Sequence, residues 1–257
     1  MSPPRSALVT GAAGGIGRAV AQRLAADGLA VTAVDLPGAR DALVAVAAEL
    51  GADGLALTAD VVDSASVDAA VAAHVAHHGG LDVLVANAGI AVTAPLVETT
   101  DEQWRRILDV NVGGVFHCYR AAARQMLAQG RGGRIIGAAS VAAHRAGAWQ
   151  SAYSASKFAV RGMSQSFAQE LGPHGITVNV YSPGVVQTPM WDAIDADMAG
   201  RRGTEVGSEM QAMVAGIPLG RLEVPADVAG VVSFLASPDA AYVTGQSIVV
   251  DGGMWFS

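Results

Sequence analysis

Short apolar runs alternate with longer Ala-rich stretches along most of the chain. The runs at 6–10, 30–35, 54–60, 81–86, 134–139, 176–182 and 247–251 are predicted strands. They are nearly continuous in apolar residues, the pattern of strands covered on both faces. Between them, segments 15–27, 38–50, 64–77, 101–128, 153–171 and 226–235 are long enough to be crossover helices. Such βαβα alternation predicts an α/β fold, a doubly wound sheet of about seven parallel strands with helices on both faces. Thr100 followed by Gln103 predicts a capping box at the fourth helix. Leu171-Gly172-Pro173 predicts a helix stop, with Gly172 in the left-handed cap. The segment from 184 to 220 breaks the alternation, and a substrate loop or lid is expected there.

Composition narrows the class. At 257 residues, 51% hydrophobic and 15% charged, the chain is expected to be one domain, residues 1–257, built on one core. One Cys excludes an internal disulfide and a thiolate zinc site, and Cys118 is expected to be a small buried apolar residue. A net charge of −7 argues against nucleic acid as a partner. No run approaches the roughly 18 apolar residues of a membrane span. Met1-Ser2-Pro3-Pro4-Arg5 leads straight into the first strand, so no signal peptide is expected and the location implied is cytoplasmic. His74, His77 and His78 are read as a solvated helix end, and no metal site is expected.

Candidate chemistry lies at the carboxyl ends of the predicted strands. Directly after the first, Gly11, Gly14, Gly15, Ile16 and Gly17 form a glycine-rich turn that opens a helix. Such a turn lets backbone approach a pyrophosphate, and the helix N-terminus offers free N–H groups to it. Asp35 ends the second strand and would accept from ribose hydroxyls while repelling a 2′-phosphate. No Arg or Lys stands at 12–16 or 36–38, so NAD is expected over NADP. Asp60-Val61 and Asn87-Ala88-Gly89 share this edge and fit contacts to adenine and ribose. Tyr153 and Lys157, four residues apart on a helix, share a face, and Ser140 ends the fifth strand. Asn111 lies inside a helix, where an inward polar side chain needs a reason.

The ordered set Thr10-Gly11-x3-Gly15-Ile16-Gly17, Asn87-Ala88-Gly89, Ser140, Tyr153-x3-Lys157 and Ser182-Pro183-Gly184 resembles the short-chain dehydrogenase/reductase family over essentially the whole chain. That resemblance implies a Rossmann-type fold, a homotetramer, and a small carbonyl or alcohol as substrate. It implies Asn111, Ser140, Tyr153 and Lys157 as the catalytic set, with Asn111 holding a water and Lys157 also gripping the nicotinamide ribose. Pro183, Gly184, Val186 and Thr188 would touch the nicotinamide. A tyrosine of pKa about 10 needs about 4 kcal/mol of phenolate stabilisation to drop by about three units. An ammonium about 4 Å away gives about 4 kcal/mol at an effective dielectric of about 20. Lys157, with help from a cationic oxidised nicotinamide, is therefore expected to lower Tyr153 enough to make it a workable acid/base.

Within the family, Lys157-Phe158-Ala159-Val160, Thr188-Pro189-Met190-Trp191 and Gly220-Arg221-Leu222 are most similar to acetoin (diacetyl) reductases and 2,3-butanediol dehydrogenases. Ser140, Trp149, Met190 and Trp191 are the expected substrate wall, which His144, Arg145 and Gln150 could also join. The pattern departs from those enzymes at Val141 and Ala146-Gly147, where Gln and Asn are usual. The alternatives are a polyol dehydrogenase, a 3-oxoacyl carrier protein reductase, and a catalytically idle dinucleotide-binding sensor.

Overall fold

The structure is a computed structural model that describes residues 5–256. Residues 1–4, where the signal-peptide reading falls, and Ser257 lie outside the described residues. Seven strands are found among the described residues: β1 (Ser6–Thr10), β2 (Ala30–Asp35), β3 (Leu55–Thr58), β4 (Val83–Ala86), β5 (Gly133–Ala138), β6 (Ile176–Pro183) and β7 (Ser247–Val250). All pair in parallel, in the order β3-β2-β1-β4-β5-β6-β7. The order reverses between β1 and β4, and in such sheets ligands bind beyond the carboxyl ends of the strands at that point.

Helices cover both faces, as the unbroken apolar strands require. In β1, Leu8 points to one side and Ala7 and Val9 to the other, and each side has its own core. On one face lie α3 (Ser64–His78), α5 (Val115–Gln129) and α6 (Ser151–Leu171), contributing Val71, Tyr119, Met126 and Val160. On the other lie α1 (Gly15–Ala26), α2 (Arg40–Glu49) and α9 (Pro225–Ala236), contributing Leu24, Leu43, Val46 and Val232. One core was expected; a sheet buried on both faces makes two.

Strand ends differ from the predicted ones by a residue or two, and four features differ more. The helix predicted over 101–128 is α4 (Asp101–Leu108), a π-helical turn (Asp109–Gly114) and α5, and the extra residue in the turn carries Asn111 inward. Its start does carry the capping box, with Gln103 N–H donating to Thr100 Oγ1 and Thr100 N–H to Gln103 Oε1. Gly172 is helical rather than left-handed; a 3₁₀ turn follows, and Gly175 takes the positive φ, 71°. The 184–220 stretch is mostly helix, α7 (Pro189–Arg202) and α8 (Ser208–Val214), rather than loop. Asp195, buried, accepts from the amides of Gly207 and Met210 and so ties these helices together.

The fourth difference is His74, which is fully buried rather than solvated. Its Nδ1 pairs with Thr32 Oγ1 at 2.8 Å and its Nε2 with Ser6 Oγ at 3.1 Å, joining α3 to β1 and β2. Burial, with His78 and His77 adding repulsion, lowers its pKa to about 3. Cys118 is buried as its composition suggests, and burial raises its thiol to about 12.

Because the unfolded imidazole titrates near 6.5 and the folded one near 3, the unfolded state binds an extra proton between those values. Stability is therefore expected to fall as pH drops from about 6.5 towards 3, by up to about 4 kcal/mol from this group. His74→Gln should lose stability at pH 7 yet show a shallower acid dependence. Urea unfolding of both proteins at pH 7 and pH 4.5 checks this, and parallel pH dependences would reject it.

Candidate active site

The carboxyl ends of β1, β4 and β6 are knotted by side chains. Asn87, just past β4, donates from Nδ2 to the carbonyls of Thr10 (2.9 Å) and Gly11 (3.1 Å). Its Oδ1 accepts from Tyr181 OH on β6 at 2.8 Å, while Thr10 Oγ1 accepts the amides of Asn87 and Ala88. The Asn87 side chain is thus spent inside the protein, leaving the 87–89 backbone at the surface of a groove.

That groove, about 910 Å³, runs along the strand ends. Every residue predicted for a cofactor, from Gly11 to Thr188, lines it. At one side the Gly11–Gly17 turn enters α1, whose N-cap Gly14 provides no side-chain cap, so first-turn amides lack intrahelical partners. A Cβ at Gly17 would collide with the Gly11 carbonyl and the Asn87 amide, so only glycine permits the turn to close this tightly. Asp35 accepts from Ala13 N–H (3.0 Å) through Oδ2 and from Leu36 N–H (2.8 Å) through Oδ1. Asp60 accepts from Val62 N–H at 3.0 Å, shaping the turn after β3. Thr188 precedes Pro189 at the start of α7, but its hydroxyl donates to Val186 O at 3.2 Å and does not cap the helix.

A second cavity of about 350 Å³ adjoins the groove, and both are walled by Ser140, Tyr153, Gly184, Met190 and Trp191. Ser140 is buried, and its Oγ accepts from Ala142 N–H at 3.1 Å. Lys157, also buried, donates from Nζ to Ala138 O at 2.7 Å and lies 5.5 Å from the Tyr153 ring centre. Burial lowers Lys157 to about 8. Burial also raises the Tyr153 phenol, with a hydrogen bond to Ser140 working the other way. Removing the phenolate from water thus costs more than Ser140 returns, and Lys157 is not among the groups that shift the phenol in the protein alone.

Three candidate residues, Asn111, Trp149 and His144, lie off these walls. Asn111 is fully buried behind the groove; its Oδ1 accepts Ile90 N–H, and its Nδ2 donates to Ile90 O and Ser156 Oγ. Trp149, predicted as substrate wall, instead has φ 65°, accepts Ala94 N–H at its carbonyl and stacks on Arg202, 5.1 Å away. The place expected for it goes to Trp255, over which Arg145 stacks at 4.1 Å, together with Met254 and, from α8, Met213. Gln150 lines the same cavity, while His144 turns away to Ser247 Oγ. The signal for the tail was the aromatic following Asp251-Gly252-Gly253: Asp251 accepts the amides of Gly253 and Trp255 and folds the end back.

Comparison with known proteins agrees with this geometry. Residues 11–255 match the family described as enoyl-(acyl carrier protein) reductase. L-2,3-butanediol dehydrogenase of Corynebacterium glutamicum is 47% identical over 254 residues, 98% of each chain. A diacetyl reductase [(S)-acetoin forming] of Staphylococcus epidermidis is 40% identical, over 97% of this chain and 98% of that one. The crystal structure of a short-chain type dehydrogenase/reductase from Mycobacterium marinum superposes with a TM-score of 0.88 at 36% identity, over 98% of this chain and 96% of the other. With a glycine turn, a reversal between β1 and β4 and end-to-end likeness of this kind, the chain belongs to the short-chain dehydrogenase/reductase family.

Proposed function

We propose that this protein is an NAD-dependent oxidoreductase that interconverts a secondary alcohol and its ketone, with acetoin, diacetyl and 2,3-butanediol as the substrate class. The chief support is the meeting of Ser140 and Tyr153, with Lys157 behind them, where a dinucleotide-sized groove joins a small, largely apolar cavity. The names of the butanediol dehydrogenase and diacetyl reductase relatives support the substrate class.

The uncapped start of α1 and the Gly17 cradle fit a pyrophosphate, and Asp35 fits unphosphorylated ribose hydroxyls. A nicotinamide dinucleotide would supply the hydride acceptor or donor. In ketone reduction Tyr153 gives its proton to the carbonyl oxygen, and Ser140 donates a hydrogen bond to that oxygen as charge grows on it. In alcohol oxidation Tyr153 takes the hydroxyl proton. Burial favours the neutral phenol, the form that donates the proton in reduction. Lys157 opposes that bias when charged, and would grip the ribose. Asn111 keeps one Oδ1 lone pair after binding Ile90, which is enough for the water assigned to it. Met190 and Trp191 would wall the substrate, with α7 and α8 as its cover. Exposed Trp104 and Phe158 on α4 and α6 fit burial in a homotetramer. No helix among the described residues is long and apolar enough to cross a membrane, which fits a cytoplasmic location.

The decisive measurement is NADH and NADPH consumption with diacetyl, acetoin and a panel of sugars and β-keto esters. Faster turnover of diacetyl or acetoin with NADH is expected; preference for NADPH or for the keto esters would overturn the assignment. Tyr153→Phe should lower kcat by at least about a thousandfold while NADH fluorescence titration still reports binding. Gly17→Ala should do the reverse, weakening NADH binding by tenfold or more because the turn must open. Undiminished binding would remove the turn from the cofactor site.

A further inference from the structure

Behind the wall shared by groove and cavity lies a carboxyl that the chemistry above does not use. Glu223 is 7% exposed. Its Oε2 accepts Gly184 N–H at 2.9 Å, an amide that also donates to Val250 O at 2.9 Å. Its backbone bridges the same segment, with Glu223 N–H donating to Val185 O (3.1 Å) and Gln187 N–H to Glu223 O (2.8 Å). Chain 184–187 is thus held by Glu223 at three points, and Gly184 and Val186 from it line the groove while Gly184 and Val185 line the cavity.

We propose that Glu223 is a positioning residue of this oxidoreductase, fixing segment 184–187 so that its backbone presents one constant face to cofactor and substrate. The inference rests on the cofactor reading above. The surroundings say in which form the carboxyl does this. Its Oε1 is buried without a partner. The charged groups about it are Asp227 on α9, Asp251 after β7, and Arg221, whose guanidinium is already paired with both oxygens of Asp227. Two carboxylates against one cation, itself committed to Asp227, leave an ionised Glu223 without a counter-charge of its own. Burial first, with Asp227 and Asp251 adding to it, pushes Glu223 up to about 8 against the Gly184 amide and Arg221, which favour the ionised form. The neutral acid therefore holds the segment at pH 7. On ionisation, as pH rises through about 8, the cost of a buried charge beside Asp227 and Asp251 exceeds what the Gly184 amide returns to a carboxylate. The side chain then moves towards water and leaves Gly184 bonded to Val250 O alone.

The experiment uses the full-length enzyme as wild type, Glu223→Gln and Glu223→Leu between pH 6.5 and 9.5. NADH dissociation constants are read by fluorescence, and exchange of the 184–187 amides by mass spectrometry. Exchange is compared between proteins at each pH, so that intrinsic base catalysis cancels. In wild type, NADH binding should weaken threefold or more from pH 7 to 9.5, with faster exchange at 184–187 than in Glu223→Gln at the same pH. Glu223→Gln, an amide mimic of the neutral acid, should match wild type at pH 6.5 and stay flat. Glu223→Leu should bind at least threefold more weakly and exchange faster even at pH 6.5. Identical pH dependence in wild type and Glu223→Gln, or wild-type behaviour of Glu223→Leu, overturns the proposal. Absence of NADH binding by wild type would instead sink the cofactor reading, and the exchange comparison would still decide whether Glu223 holds the segment.

Discussion

The site depends on the knot that Asn87 ties between Thr10, Gly11 and Tyr181. A parallel sheet presents free carbonyls and amides at its strand ends, and at the reversal between β1 and β4 two loops leave in opposite directions. Left alone, such ends would splay and their buried polar groups would need other partners. One amide side chain satisfies two carbonyls and a phenol there. It thereby sets how far the glycine turn stands from the 87–89 backbone, and hence the shape of the groove between them. The Gly17 contact works in the same place and direction: the turn is pressed so close to Asn87 that no side chain fits.

Much of this was legible in the sequence, because the determinants are local. Unbroken apolar strands announce a sheet covered on both faces, and the glycine turn, Asp35 and the Tyr153/Lys157 spacing each sit within a few residues of the element that carries them. What was not legible depends on residues far apart in the chain. His74 looked like part of a helix end, yet its partners are Ser6 and Thr32, on strands met long before. Trp149 and Trp255 are both aromatic and near glycines; only folding shows Asp251 bringing the latter to the rim of the smaller cavity while the former stacks on Arg202. The break at Asp109–Gly114 has no proline to mark it, and its reason, the grip of Asn111 on Ile90, is tertiary.

Electrostatically the centre is set by removal of water more than by attraction between charges. Tyr153 is raised and Lys157 lowered by burial, both towards neutrality, and Glu223 is driven the same way. A pairwise Coulomb estimate for an ammonium beside a phenol omits this desolvation, and so gives the wrong sign for the protein's own contribution. Attraction regains importance only when a further positive charge enters the groove.

The two cavities share Gly184, Met190 and Trp191, yet their outer walls are separate: Ile194, Met213 and Met254 face only the smaller one. On the proposed reading, libraries confined to these three side chains would retune which alcohol is accepted and leave the dinucleotide groove as it is. Diversity introduced at the common wall would move both at once. The architecture thus has a modular rim around an indivisible centre.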